Sequence, residues 1–203
     1  MIEPFCHPGG WEPSLAAAVA AAPLAVDGAA AQRLSRYVAE LLRWSKRLNL
    51  TALAGVPLVE RLIAPTLPFA AASVYRSAPA FADLGSGNGI PGVVLQVVAP
   101  RARCVLIEPR HRRACFLRHL VRTLPVDQTV VVEQRAEALG WSEAERVELV
   151  VSRAVAPPAT LLGWCAPLLA DGGAVALWGG GERVTGWQAT VAGAATVYCR
   201  PPR

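Results

Sequence analysis

The residues able to do chemistry are concentrated in Asp83-Leu84-Gly85-Ser86-Gly87-Asn88-Gly89-Ile90-Pro91-Gly92. Gly87-x-Gly89-x-x-Gly92 matches a nucleotide-binding fingerprint, but a tight strand-to-helix turn produces the same spacing, so the pattern alone leaves both readings open. Glycines permit positive φ and let a ligand approach bare backbone. Pro91 suits the first turn of a following helix, where its missing N–H is no loss. Charge separates the cofactors that such a loop could hold. A nicotinamide dinucleotide would lay an anionic pyrophosphate on the turn, where Asp83 would repel it. S-adenosylmethionine brings an ammonium and a sulfonium, which Asp83 attracts directly or through water. The loop, with Asp83 and Gly87 in it, therefore reads as an S-adenosylmethionine site.

Companion residues recur at intervals after the loop. Glu108 follows about 20 residues later at the end of the next strand, where an acid accepts hydrogen bonds from ribose hydroxyls. Gln134-Arg135-Ala136-Glu137 follows the third strand, and its backbone can cover an adenine edge with the Ala136 N–H as donor. A plain helix start with Glu137 near its N-terminus is the alternative. Ser152-Arg153-Ala154 ends the fourth strand and would face the transferring methyl, unless Arg153 is merely paired at the surface. Arg110, Arg112, Arg113, Arg118 and Arg122 line one helix, with Arg118 and Arg122 one turn apart on a shared face. Such a run is either a track for a polyanion or a solvated helix surface.

The elements that must position these groups change texture near Ala78. Before it the chain reads as helical: Leu34, Val38, Leu41, Leu42 and Leu48 recur at helical spacing, and a shorter helix over Leu58–Ile63 ends ahead of Pro65. After it, strands at 80–84, 104–108, 129–132, 149–152 and 174–178 alternate with helices at 91–98, 110–124, 136–145 and 160–169. That alternation predicts an α/β fold, a doubly wound and mostly parallel sheet covered on both faces. Residues 1–77 form an N-terminal helical extension and residues 78–203 a Rossmann-like domain, packed as one unit. Ligands of such sheets lie at the carboxyl ends of the strands.

Composition narrows the classes. The chain has 203 residues and a net charge of +5, and Lys46 is its only lysine. Arginine-borne charge suits phosphate, although a GC-rich genome favours arginine codons equally well. Cys6, Cys104, Cys115, Cys165 and Cys199 are scattered without C-x-x-C pairs, which predicts neither a metal site nor a disulfide framework and fits a reducing cytoplasm. The Ala-rich run Leu15–Val26 follows acidic Glu3 and Glu12 and is interrupted by Pro23, so it reads as a packing helix rather than a signal peptide. No stretch is long and apolar enough to span a bilayer.

Taken in order, these pieces resemble the RsmG/GidB family of bacterial methyltransferases that modify a guanine N7 of small-subunit (16S) ribosomal RNA. The resemblance runs from about Tyr37 to Gly179. It rests on Trp44-Ser45-Lys46-Arg47-Leu48-Asn49-Leu50-Thr51, the glycine loop, Arg112-Arg113-Ala114-Cys115-Phe116-Leu117, Arg135-Ala136-Glu137 and Ser152-Arg153-Ala154. It implies a class I methyltransferase fold and cofactor contacts from Gly85, Ile90, Ala136, Glu137 and Arg153, with Arg153 also a positioning candidate. It further implies RNA contacts from Lys46, Arg47, Asn49, Arg112 and Arg113, and a monomer acting on ribosomal RNA or the small subunit.

The chain departs from the family where Arg61 is followed by Leu62-Ile63-Ala64-Pro65-Thr66 in place of His-Ile-Leu-Asp-Ser. It departs again where Trp178-Gly179 replaces Lys-Gly. Trp178 could stack on a base or simply pack. The tail looks one strand short of the usual terminal hairpin, with only Ala195–Cys199 legible after Gly179. A non-catalytic descendant binding cofactor or RNA, or an enzyme redirected to a small molecule, would share the same cofactor half.

Overall fold

Trp11 and Leu15 bury the start of a short first helix, α1 (Glu12–Ala20), against the longer α2 (Gly28–Leu48). Asp27 caps α2 by accepting the Ala30 N–H at 2.6 Å, and Asn49 ends it in the left-handed region at φ 47°. A cap of this kind is worth about 1 kcal/mol. Ala30, Leu34, Tyr37, Val38 and Leu41 form its buried face. The chain then turns through α3 (Gly55–Leu58), a π-helical turn at Val59–Ile63, a 3-10 turn at Leu67–Ala71 and α4 (Ser73–Ser77). This computed structural model describes residues 10–153, 155–179 and 181–200. Glu3, Cys6 and Ala154, singled out above, lie outside them.

From residue 80 the strands and helices alternate as β1 (Ala80–Leu84), α5 (Gly92–Val98), β2 (Arg103–Ile107), α6 (His111–Thr123), β3 (Thr129–Val132), β4 (Val147–Arg153), α7 (Pro158–Cys165), β5 (Leu169–Trp178), β6 (Gln188–Ala192) and β7 (Ala195–Cys199). The sheet order is β3-β2-β1-β4-β5-β7-β6; the first five strands are parallel, while β7 is antiparallel to both β5 and β6. This is the expected doubly wound sheet. Its strand order reverses between β1 and β4, where a crevice opens at the carboxyl ends. Leu84 there pairs in register with Ile107 on one side and Ser152 on the other.

Two apolar clusters cover the sheet. On one face Phe81, Cys104, Leu106 and Val151 join Leu34, Tyr37 and Leu41 of α2 and Phe116 and Leu120 of α6. On the other, Ala82, Val105, Val150 and Val175 meet Leu161, Leu162 and Cys165 of α7. The helices before residue 78 thus share a core with α5 and α6.

Two expectations are corrected. The tail is not short: β6 completes the antiparallel hairpin. It escaped notice because Gln188, Ala189, Thr190 and Val191 are all exposed on the sheet edge, so the alternation that marks a half-buried strand is missing. The helix expected over 136–145 is instead two 3-10 turns, Ala136–Ala138 and Glu143–Glu145. Between them lie Gly140 and Trp141, and Ser142 restarts the chain with a capping box to Glu145.

Candidate functional site

Strand β1 delivers Asp83 into the core and ends in the glycine loop, where Gly85, Gly87 and Gly89 hold φ of 75°, 49° and 91°. The loop is pinned from several sides. The Gly85 and Ser86 N–H groups both donate to Ile107 O, at 2.9 and 3.0 Å. Ser86 Oγ donates to Asp83 O at 2.7 Å, and Asn88 Oδ1 accepts the Ile90 N–H at 3.2 Å. From β4, Ser152 Oγ donates to Leu84 O at 2.8 Å. Two glycines are required by contact. A Cβ at Gly92 would lie 2.5 Å from Asp83 Oδ2 and 2.7 Å from Leu106 Cδ2, and a Cβ at Gly85 would collide with Val155.

Asp83 is 1% exposed. Its Oδ2 accepts the Gly92 N–H at 2.9 Å, tying β1 to the start of α5, while Oδ1 is buried with no partner among the described residues. Burial lifts its carboxyl from the ordinary range to about 7, against the opposing pull of the Gly92 N–H and the Arg153 guanidinium. An unsatisfied carboxylate oxygen in a low-dielectric site costs free energy that a cation would recover.

Glu108, following β2, is 3% exposed and accepts the Gly87 N–H at 3.0 Å through Oε2 and the Arg110 N–H at 2.8 Å through Oε1. Its first duty is therefore to the loop itself. Each oxygen keeps a further lone pair for a hydroxyl donor.

Arg153 ends β4 opposite Trp178, close enough to Asp83 for their charges to interact, and burial lowers its pKa. It forms no ion pair or hydrogen bond among the described residues. Ala136 opens a 3-10 turn, which leaves its N–H without a partner inside that turn, and Glu137 beside it is exposed. Ile90, within the loop, is buried. The structure thus brings Asp83, Gly85, Gly87, Ile90, Glu108 and Arg153 to one end of the sheet. Glu137 stands in solvent on the neighbouring turn.

The polycation candidates separate into two groups. Arg112 is exposed at the start of α6, and Arg113 lies over the glycine loop, with a terminal nitrogen 3.6 Å from where a Gly87 Cβ would stand. Lys46, Arg47 and Asn49 are exposed at the far end of α2. Asn49 has a structural duty as the left-handed C-cap. Arg118 is withdrawn from the expected Arg118–Arg122 face, since its guanidinium pairs with Glu133 at 2.7 Å. Trp178 is 7% exposed and packs edge-on against Phe69 at 5.0 Å between ring centroids, so it belongs to the core. Leu62 and Pro65 are half-buried, and beside them Thr66 is buried, with Oγ1 donating to Leu62 O at 2.9 Å.

One site residue was missed. Tyr37 Oη donates to Asn88 O at 2.8 Å, joining α2 to the glycine loop, and burial raises its pKa well above the usual phenol value. No local motif in the sequence links it to the loop.

Among the described residues no helix is long and apolar enough to cross a membrane, and no cluster of three or more metal-ligating side chains occurs.

Compared with known proteins, residues 30–195 match the family described as GidB, rRNA small subunit methyltransferase G. The ribosomal RNA small subunit methyltransferase G of Roseiflexus sp. (strain RS-1) is 36% identical over 149 residues, which cover 71% of this chain and 63% of that protein. The protein of the same name from Wolinella succinogenes is 36% identical over 158 residues, covering 76% of this chain and 77% of the relative. Among solved structures, a methyltransferase from Geobacter sulfurreducens superposes with a TM-score of 0.56 at 12% identity, over 82% of this chain and 90% of that one. That likeness concerns the fold alone.

Proposed function

The chain belongs to the GidB family of rRNA small subunit methyltransferase G proteins, and from that premise we propose that it transfers a methyl group from S-adenosylmethionine to N7 of a guanine in 16S ribosomal RNA. The observation that carries the cofactor half is Asp83 Oδ1, a buried acceptor without a partner among the described residues, at the switch point of the sheet. It suits an ammonium and opposes a pyrophosphate. Glu108, with lone pairs to spare, would receive ribose hydroxyls. The free Ala136 N–H and Glu137 would border the adenine, Ile90 would pack against it, and the bare backbone at Gly85 and Gly87 would let the amino-acid end approach. Arg153, unpaired among the described residues, would take a carboxylate.

When bound, S-adenosylmethionine supplies an electrophilic methyl on a sulfonium. The chain's own task is small in chemistry and large in geometry. Guanine N7 has a lone pair and no proton, so no general base is required. Alignment of N7 with the methyl is what the protein must provide, and orientation is worth about 7–11 kcal/mol in favourable cases. Tyr37, Ser86 and Ser152 hold the loop that sets this alignment. Arg112 and Arg113 beside the loop, with Lys46, Arg47 and Asn49 on α2, would meet the RNA. The protein would act as a monomer in the cytoplasm, where its substrate is.

Mapping N7-methylguanine by borohydride and aniline cleavage of 16S rRNA, with and without the gene, tests the proposal. Loss of one cleavage site supports it, and an unchanged pattern contradicts it. In the latter case, retained S-adenosylmethionine binding would favour the non-catalytic reading.

A further inference from the structure

One face of α6 gathers a nucleophile, a base and an acid that methyl transfer does not use. His111 and Cys115 are one turn apart and share that face, which Arg118 continues. Cys115 Sγ lies 3.5 Å from His111 Nε2. The other ring nitrogen, Nδ1, lies 2.8 Å from Glu133 Oε1, and Arg118 donates to Glu133 Oε2 at 2.7 Å. A nucleophile within reach of a base that a third group orients is the arrangement that activates a cysteine.

Each member has a definite part. Arg118, and after it His111, hold the Glu133 carboxyl below the usual carboxylate range, so it only accepts hydrogen bonds. His111 Nδ1 must then carry the ring proton, which leaves Nε2 as the acceptor facing the thiol. Once the sulfur gives up its proton it stands beside an imidazolium. Arg118, whose guanidinium pairs first with Glu133 and also meets Cys115, adds a second cation.

The other described thiols lack this company. Cys104 and Cys165 are fully buried, and burial pushes the Cys165 thiol up to about 12 and raises that of Cys199. Cys115 is half-buried and, among the described residues, is the one thiol hydrogen-bonded to a histidine. The surface around it is basic, since Arg112 and Arg122, both exposed, stand one and two turns away on α6.

We propose that Cys115 is a thiol–disulfide exchange site for small anionic disulfides, with His111 as its base and Glu133 orienting that base. The thiol proton passes to His111 Nε2, and Sγ attacks one sulfur of the reagent. A new Sγ–S bond forms as the reagent's S–S bond breaks, and the departing thiolate takes the proton from His111. Cys115 is thereby oxidised to a mixed disulfide, and the other half of the reagent is reduced to a thiol. The step needs no methyl donor and is independent of the methyltransferase reading.

The test treats the full chain with 3,3′-dithiodipropionate and follows the modification rate of each cysteine by peptide mass mapping. Cys115 should react severalfold faster than Cys199, the other half-buried thiol. His111→Gln should slow Cys115 severalfold, Glu133→Gln should slow it less, and neither should change the rate at Cys199. The cationic disulfide cystamine should react with Cys115 severalfold more slowly than dithiodipropionate, each rate being divided by that of the same reagent with the neutral thiol N-acetylcysteinamide. Equal rates at Cys115 in the wild type and His111→Gln overturn the inference, because the thiol would then be merely exposed. Cystamine matching the anionic reagent after that correction overturns it as well.

Discussion

The end of the sheet at Asp83 and the segment from Arg61 to Phe69 with Trp178 beside it use their side chains differently. At the cofactor end, polar groups are buried and put to use: Glu108 holds Gly87, Ser152 holds Leu84, and Asp83 holds Gly92. Among the described residues, what remains without a partner there is Asp83 Oδ1, which is buried, and Arg153 at the end of β4. In the second region Ile63, Leu67 and Trp178 are packed as core, and the one hydroxyl among them, Thr66, is spent on Leu62 O. Trp178 stacks edge-on with Phe69, and Ile63 and Leu67 are fully buried. Among the described residues, the groups left without a partner at the Asp83 end are charged, whereas in the neighbouring region it is the neutral Trp178 Nε1–H, held within apolar packing. A ligand should stabilise the first, and only packing changes should disturb the second.

The largest effect expected from this contrast is in the packed region. Trp178→Ala should lower stability to urea by about 3–5 kcal/mol, while the folded fraction keeps its affinity for S-adenosylmethionine. A stable variant with impaired cofactor binding would move Trp178 from the core to the site. Next comes Gly92→Ala, whose new methyl would press on both Asp83 and Leu106. It should cost about 1–3 kcal/mol and, unlike the first variant, also weaken cofactor binding, measured by denaturation with and without ligand. The smallest effect lies outside both regions. Lys46→Gln and Arg47→Gln should each reduce the slope of log affinity for 16S rRNA against log salt by about 0.7–0.9, without altering stability. An unchanged slope would remove the end of α2 from the RNA contact surface.

Much of the first region was legible in the sequence because its parts are contiguous. The glycine loop, Asp83 and the strand-to-helix alternation around it are local patterns with local physical causes. Tyr37 was not legible as a site residue, since its bond to Asn88 spans 51 positions and no local motif links the two. Arg118 looked free because its partner Glu133 sits on a different element. Trp178 could not be assigned from its position at a strand end, because Phe69, the ring it meets, comes from a 3-10 turn with no periodic signature. The edge strand Gln188–Ala192 was lost for the complementary reason, that exposure erased its alternation. Glu108 does follow β2 beside the loop, but its bonds to Gly87 and Arg110 show it building the loop before any ribose is considered.

The central claim is that the crevice at Asp83 is built for a cationic cofactor. Calorimetric titration of S-adenosylmethionine into the wild type and Asp83→Asn at pH 7.5 and 5.5 tests it most directly. Burial pushes the Asp83 carboxyl up to about 7, so lowering the pH neutralises the group proposed to meet the ammonium. Wild-type affinity should fall by roughly tenfold or more between pH 7.5 and 5.5, and Asp83→Asn should be weak and unresponsive over the same range. Equal affinities of the two proteins at pH 7.5, or the same pH dependence in both, would contradict the electrostatic basis of the site.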